Sequence, residues 1–142
     1  SVLNLVNLEK SISLNNKKRF KNFANNIKER KKSFIEFLNK LKSQNKVIAG
    51  FGAPAKATTL MYEFGLKDDV LDFIVDDSPL KQGLYSPGLH IPVLPSSSIK
   101  ALKPDYLLIL AWNFADSIIK NNEEFSNSGG KFIIPLPNLR II

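Results

Sequence analysis

The sequence predicts an α/β fold: a mostly parallel five-stranded sheet, covered by helices on both faces and preceded by one long amphipathic helix. Two observations carry this reading. Short runs that are apolar on both sides, Val47-Ile48-Ala49, Phe73-Ile74-Val75, Tyr106–Leu110 and Phe132-Ile133-Ile134, alternate with helix-like stretches. Such strands belong in parallel sheets that are buried on both faces. The second observation is a glycine turn, Gly50-Phe51-Gly52, placed between the first of these runs and a helix opening at Pro54.

Taken in order, residues 1–12 show no clear pattern. From Leu14 to Leu41 the apolar residues Phe20, Phe23, Ile27, Phe34, Leu38 and Leu41 recur at gaps of three, four and seven, one stripe on one helix face. Lys17, Lys18, Lys21, Lys28, Arg30, Lys31 and Lys32 fall mostly elsewhere, so the stripe is expected to pack on the chain's own sheet or on a neighbouring domain. The first strand follows Lys46, and a helix runs from Pro54 to about Phe64. The second strand, Phe73–Val75, ends in Asp76-Asp77-Ser78-Pro79. A long loop then leads to a strand around His90–Val93, where Pro92 argues for an edge position. Pro95 and Ser96–Ser98 open a short helix ending near Leu102. The fourth strand is Tyr106–Leu110, a helix runs from Asn113 or Phe114 to Phe125, and Phe132–Ile134 is the last strand. Right-handed crossovers give a Rossmann-like three-layer α/β/α sandwich with strand order 3-2-1-4-5. Residues 1–45 read as a basic amphipathic helix or linker and 46–142 as the Rossmann-like domain. The chain opens without Met and almost directly enters a helix, which reads as a piece of a longer protein.

Composition limits the function classes. A chain of 142 residues, 44% hydrophobic and 23% charged, is the size and make-up of one soluble domain with a real core. No apolar run reaches bilayer length and no signal-peptide pattern is present, so a cytoplasmic protein without a membrane role is expected. The absence of cysteine removes disulfides, thiolate metal sites and cysteine nucleophiles, and a single histidine, His90, disfavours histidine metal sites. The net charge of +7 is uneven. Residues 1–46 hold 12 Lys/Arg and 3 Asp/Glu, whereas residues 47–142 hold 8 and 10. Basicity confined to one helix is accounted for by a solvated charged face, and no nucleic-acid partner is expected.

Three clusters carry binding chemistry. Gly50-Phe51-Gly52-Ala53-Pro54-Ala55-Lys56 fits G-x-G-x-x-A between strand and helix, where backbone amides and the helix dipole attract a pyrophosphate and Lys56 adds a full charge. Pro54 suits the first helical position. Asp76, ending the second strand, is placed where such folds hydrogen-bond ribose hydroxyls. In the following loop Lys81, Gln82, Tyr85 and His90 supply a cation, an amide, a phenol and an imidazole. Trp112 and Asn113 end the fourth strand, which in order 3-2-1-4-5 lies beside the first at the topological switch point. Trp112 is suited to stacking on a base or sugar, and Asn113 to hydrogen-bonding it or capping the next helix. No nucleophile elbow, carboxylate pair or metal-ligand spacing appears, so no catalytic residue is assigned.

These segments resemble a known family. The Gly50–Lys56 turn, Val75–Gly83, Pro87–Val93, Pro104-Asp105-Tyr106, Leu110–Asn113 and Gly129–Pro137 occur in the order found in the C-terminal domain of S-adenosylmethionine (SAM)-dependent C-methyltransferases of nucleotide-linked deoxysugars. The resemblance implies a three-part enzyme with a zinc-binding N-terminal domain, a central SAM-binding domain that holds the catalytic base, and this domain framing the nucleotide-sugar, such as a dTDP-sugar. It implies that this domain binds no cofactor itself and that its partner is the SAM-binding domain of the same enzyme. The chemistry of the matched residues suggests individual roles: Gly52, Ala53 and Lys56 would take the pyrophosphate with Lys81 and Gln82 nearby, Asp76, Tyr85, His90, Trp112 and Asn113 would frame sugar or base, and Gly50 is a further binding candidate in the same turn. Two other readings stand beside it: an NAD(P)-binding domain of an oxidoreductase, resting on the glycine turn and Asp76, and a non-catalytic docking module built on the basic helix.

Overall fold

The structure, a computed structural model, describes residues 1–142. It divides into two compact units, Ser1–Ser33 and Phe34–Ile142. The first comprises helix α1 (Val2–Ser11) and the start of helix α2 (Lys17–Ser43). Residues without a clear apolar period thus form a helix, capped by the Ser1 hydroxyl, which accepts from the Asn4 amide. The second unit takes in the remainder of α2 from Phe34, so compactness begins inside the helix and not after it.

The second unit is the doubly wound domain. Strands β1 (Ile48–Phe51), β2 (Phe73–Asp76), β3 (Val93–Pro95), β4 (Tyr106–Ile109), β5 (Lys131–Ile134) and β6 (Arg140–Ile141) form one sheet in the order β3-β2-β1-β4-β5-β6. The expected 3-2-1-4-5 order is present and all its pairs are parallel. The short β6, unexpected because two residues carry no periodic signal, adds an antiparallel edge on β5. β3 is the other edge, and Pro92 sits just before it in an isolated bridge to Tyr85.

Alternation along the strands sends side chains to two separate cores. On one face Ile48, Ile74, Leu108 and Ile133 pack with Phe34, Leu38 and Leu41 of α2 and Ala57, Leu60, Met61 and Phe64 of α3 (Ala55–Phe64). On the other face Ala49, Phe51, Val75, Leu107, Ile109, Phe132 and Ile134 pack with Ile99 of α4 (Ser98–Leu102), Ala115 and Ile118 of α5 (Ala115–Asn121), and Phe125 of α6 (Glu123–Asn127). The single helix expected from Asn113 to Phe125 is therefore a 3-10 turn, Trp112–Phe114, followed by two short helices that meet at Asn122. The Asn122 side-chain amide donates to the Ile118 carbonyl where the helix breaks.

Two aspartates fix the start of the central strand. Asp72, just before β2, accepts from the Ile48 amide at 2.9 Å and pairs with Lys42 of α2 at 3.1 Å. Asp105, just before β4, accepts from the Val47 amide at 2.9 Å and pairs with Lys46 at 2.8 Å. The β1 entrance is thus tied from both neighbouring strands, which sets the register on which the far end of the sheet depends. The Lys46 ammonium and the Val47 amide hold the Asp105 carboxyl below the ordinary carboxylate range. No helix is long and apolar enough to cross a membrane.

The far end of β1 is shaped by closeness. Gly52 has φ +87°, and a Cβ there would stand 2.8 Å from the Cβ of Ala111. Replacing Gly52 by Ala should destabilise the domain by about 2–3 kcal/mol, from left-handed strain added to the clash. The expected outcome in urea unfolding is a lower midpoint at unchanged slope; an unchanged midpoint would show that β1 and β4 do not approach so closely.

Candidate functional site

The site is built at the carboxyl ends of β1 and β4, where the chain departs to opposite faces of the sheet. Leaving β1, the Gly52 amide donates to Val75 O at 2.7 Å, turning the chain toward β2. Pro54, with φ −73° and ψ 159°, is the residue before the first helical one, not the first helical residue itself. Ala55 and Lys56 then begin α3, whose first turn holds no acidic residue. Leaving β4, the Leu110 amide donates to Phe51 O at 2.9 Å, and Trp112 follows at once in its 3-10 turn.

These two departures bring Lys56 and Trp112 together. The Lys56 Nζ lies 4.4 Å from the Trp112 ring centroid and 5.8 Å from that of Phe114. Both distances lie within the range of cation–π attraction. Phe114 is 64% exposed, a large aromatic surface on the cation that sequence reasoning passed over. Its signal was present in the exposed turn after Trp112, but the expected long helix hid it. Asn113, between the two aromatics, is exposed and caps neither the turn nor α5, whose flanking residues make no side-chain cap bond. The capping role expected for it is therefore corrected.

Asp76 takes a different part from the ribose acceptor expected of it. It is buried, with 7% of its surface exposed. Its Oδ2 accepts from the Ala53 amide at 2.6 Å and from Lys81 Nζ at 3.0 Å, and its Oδ1 accepts from the Ser78 amide at 2.8 Å. Gln82 donates its side-chain amide to the Asp76 carbonyl at 2.9 Å. Asp76, Ala53, Lys81 and Gln82 thus form one staple that joins the β1–α3 turn to the loop after β2. The amides of Gly52 and Ala53 are both taken by protein acceptors, which leaves the α3 start and the Lys56 ammonium as the donors there without a protein acceptor. Gly50 lies inside β1, where an added Cβ would meet Leu110 Cδ1 at 2.8 Å and Ile74 Cγ1 at 3.1 Å, so packing and not ligand approach requires glycine there.

Tyr85 and His90 are not brought to this crevice. Their rings face each other at 6.4 Å, but the strand register places them near the other end of the sheet. Asp76 is level with Pro95, and Ile74 with Val93; Tyr85 bridges Pro92, one step further back toward the amino end. A loop joining parallel strands has to return to the amino end before the next strand begins. Lys81 and Gln82 lie on its outgoing part and Tyr85 and His90 on its return. Tyr62, near the carboxyl end of α3, lies over Gly88 in the same returning segment.

A groove of about 720 Å³ lies elsewhere, lined by Ile99, Lys100, Pro104, Asn122, Phe125 and Gly130 among others. The hollow runs from Ser96 and Ser97, just after β3, to Pro104 and Gly130, just before β4 and β5, and neither Lys56 nor Trp112 lines it. Lys100 and Glu124 pair at 2.5 Å on its wall, both largely exposed, an ion pair of little energetic weight. Size favours this groove and chemistry favours the switch point. The switch point is the better candidate, because open parallel sheets bind ligands at their carboxyl edge.

A doubly wound domain with a cation and two aromatic rings at its switch point is a Rossmann-like domain with a candidate ligand crevice. The chain belongs to the C-methyltransferase C-terminal domain family, whose model matches residues 1–137. It is similar to the C-methyltransferase NovU of Streptomyces niveus, with 37% identity over 123 residues, a match covering 87% of this chain and 29% of that relative. The chain therefore spans less than a third of the length of the curated relative it matches.

The staple gives a direct test. Burial alone would raise the Asp76 carboxyl, but the Ala53 and Ser78 amides and then Lys81 outweigh it and hold the group below its ordinary value. A carboxyl depressed by folding stabilises the native state above the unfolded pKa of about 3.9, and that stability is lost as pH falls through the lower native value. Asp76→Asn should lower stability at neutral pH by about 1.5–3 kcal/mol, the range for hydrogen bonds to charged groups. It should also flatten the decline of stability below about pH 4. Equal acid sensitivity in the two proteins, followed by urea unfolding across pH, would contradict this role.

Proposed function

We propose that this chain is the nucleotide-sugar-binding C-terminal domain of a SAM-dependent C-methyltransferase acting on a nucleotide-linked deoxysugar, such as a dTDP-sugar, in the cytoplasm. The observation that carries the reading is the meeting of Lys56 with Trp112 and Phe114 at the switch point. A diphosphate needs a cation beside a helix start, and a base or sugar needs an apolar plane; these residues supply both. Lys56, on the first turn of α3, meets the diphosphate. Trp112 and Phe114 present ring surface to the base or sugar, and Asn113 lies between them with a free amide. Asp76, Lys81 and Gln82 position the loop around the site.

SAM belongs, in this reading, to another domain. An acid accepting from ribose hydroxyls is what a SAM or NAD site asks of the end of β2, and Asp76 there already accepts from Ala53, Ser78 and Lys81. The donor set at this crevice therefore does not fit SAM, and the same argument weighs against an NAD(P)-binding oxidoreductase domain. Methyl transfer and the proton abstraction preceding it fall to the SAM-binding domain of the same enzyme.

Trp112 is the only tryptophan, so its fluorescence reports on this site alone. Titration with dTDP or a dTDP-sugar should change the emission saturably, and SAM or NAD should not. Lys56→Ala should weaken the nucleotide by about 1–3 kcal/mol, roughly five- to 150-fold in Kd, through loss of a charge-assisted phosphate contact. Unchanged affinity in that variant would remove Lys56 from the site, and saturation by NAD alone would overturn the assignment.

A further inference from the structure

The groove of about 720 Å³ lies wholly within the unit Phe34–Ile142, with α4 on one side and α5 and α6 on the other. Its size falls in the range of small-molecule pockets, roughly 300–1,000 Å³. The floor is apolar, for Ile99, Pro104 and Phe125 are all buried. Phe125 stands edge-to-face against Phe132, with ring centroids 5.2 Å apart, so the core behind it fixes the ring. One end of the groove is the Ser128–Gly130 turn. A Cβ at Gly130 would stand 2.3 Å from the Phe125 ring, and one at Gly129 would meet nothing within 4 Å. The turn therefore closes on the ring, and two of its three residues put no side chain into the space.

Charge around the groove narrows what fits it. Four ionic side chains line it, Lys100, Lys103, Asp105 and Glu124. Lys100 pairs with Glu124, joining α4 to α6, and Asp105 is taken by Lys46 and the Val47 amide. Lys103 alone has no acidic partner. One uncompensated ammonium matches one negative charge. A dianion would bring its second charge toward Glu124 and Asp105, and a neutral ligand would make no use of the ammonium.

Lys103 also occupies a position that suits another residue. It ends α4 with φ 45° and ψ 58°, in the left-handed region, and its amide donates to the Ile99 carbonyl at 2.9 Å. Glycine ordinarily ends a helix in this way, because a Cβ is strained there. The Lys103 side chain is exposed, so core packing does not explain it. Backbone geometry asks for glycine, and the side chain present is the one free cation of the groove. Strain of this kind collects at binding sites.

We propose that the groove between α4 and α6 is a second binding site, for an organic monoanion with a flat apolar body. The carboxylate of such a ligand meets the Lys103 ammonium, and its ring lies on Ile99, Pro104 and Phe125. Ser97, at the head of α4, makes no capping bond, so its hydroxyl is available to a polar substituent. Neither Lys56 nor Trp112 lines this groove, and the site stands whether or not their crevice holds a nucleotide-sugar.

NMR titration of the isotope-labelled 142-residue chain tests it, with naphthoate, its neutral counterpart naphthalenemethanol and the dianion naphthyl phosphate as probes. Naphthoate should move the amides of Ile99, Lys103, Phe125, Gly129 and Gly130 saturably while those of Lys56 and Trp112 stay in place. Both other probes should bind more weakly. In Lys103→Gly the urea midpoint should hold or rise, whereas naphthoate binding should weaken about three- to tenfold through loss of one exposed charge-assisted contact. Shifts that grow without saturating, or that fall on Lys56 and Trp112 instead, would overturn the site. Binding of the alcohol or the phosphate at least as tight as that of naphthoate would overturn the monoanion assignment. Unchanged naphthoate affinity in Lys103→Gly would do the same. A lowered urea midpoint in that variant would show that folding itself requires the lysine, and the proposal would fall with that result too.

Discussion

The molecule depends on how closely β1 and β4 approach at their carboxyl ends. Gly50 lets the Leu110 and Ile74 side chains close over the central strand, and Gly52 lets the chain turn within contact of Ala111. With any bulkier pair the two strands would have to separate just where α3 and the Trp112–Phe114 turn leave for opposite faces. That separation would carry Lys56 away from Trp112, a contact of 4.4 Å that rests on the strand ends being adjacent. The aspartates at the opposite end act on the same strand. Asp72 and Asp105 tie the first amides of β1 to its two neighbours, so its register is set before the glycines are reached.

Asp76 converts this geometry into a rigid edge. A buried carboxylate is tolerated only when hydrogen-bonded or paired, and this one has two amides and an ammonium. Because the amides come from different loops, the carboxylate holds the β1–α3 turn and the β2–β3 loop in one arrangement. The residue that looks most like a ligand acceptor in the sequence is thus a structural acceptor, and the ligand-facing character shifts to groups with less internal demand on them. Lys81 differs from Lys56 in the same way: its ammonium meets a carboxylate, whereas that of Lys56 meets only ring faces.

Much of the fold was legible because its causes are local. Double-sided apolar strands, the glycine turn and the crossover rule were enough for the sheet order and the switch point. Less legible were features settled by tertiary packing. Helix α1 has no single apolar face to reveal it, β6 has only two residues, and the break at Asn122 splits a segment whose apolar period reads as one helix. At the site, Lys56 with Trp112 followed from strand order alone. Tyr85 and His90 were grouped with them because they share a loop with Lys81, yet a parallel crossover must span the sheet from end to end. Position along such a loop decides which edge a residue reaches, and Pro92, level with the first residue of β2, puts His90 on the return. Asp76 could not be assigned from sequence, since its role depends on amides 23 and two residues away that only the folded turn presents.

The distribution of charge then bears on how the crevice would hold an anion. The folded unit from Phe34 onward is neutral overall, with eleven charges of each sign, so no broad field draws a diphosphate to it. Attraction has to be local, from Lys56 and the helix start. A lysine in open solvent is strongly hydrated and mobile, which weakens such a contact. Ring faces at 4.4 and 5.8 Å remove part of that hydration and restrict the ammonium without neutralising it. Cation–π attraction of about 0.5–2 kcal/mol suffices to place the charge, and it leaves the outward N–H groups for a phosphate oxygen. In the proposed reading ring and anion would act on the same ammonium without competing, and the aromatic pair stacked on a ligand would also orient the cation that meets its phosphates.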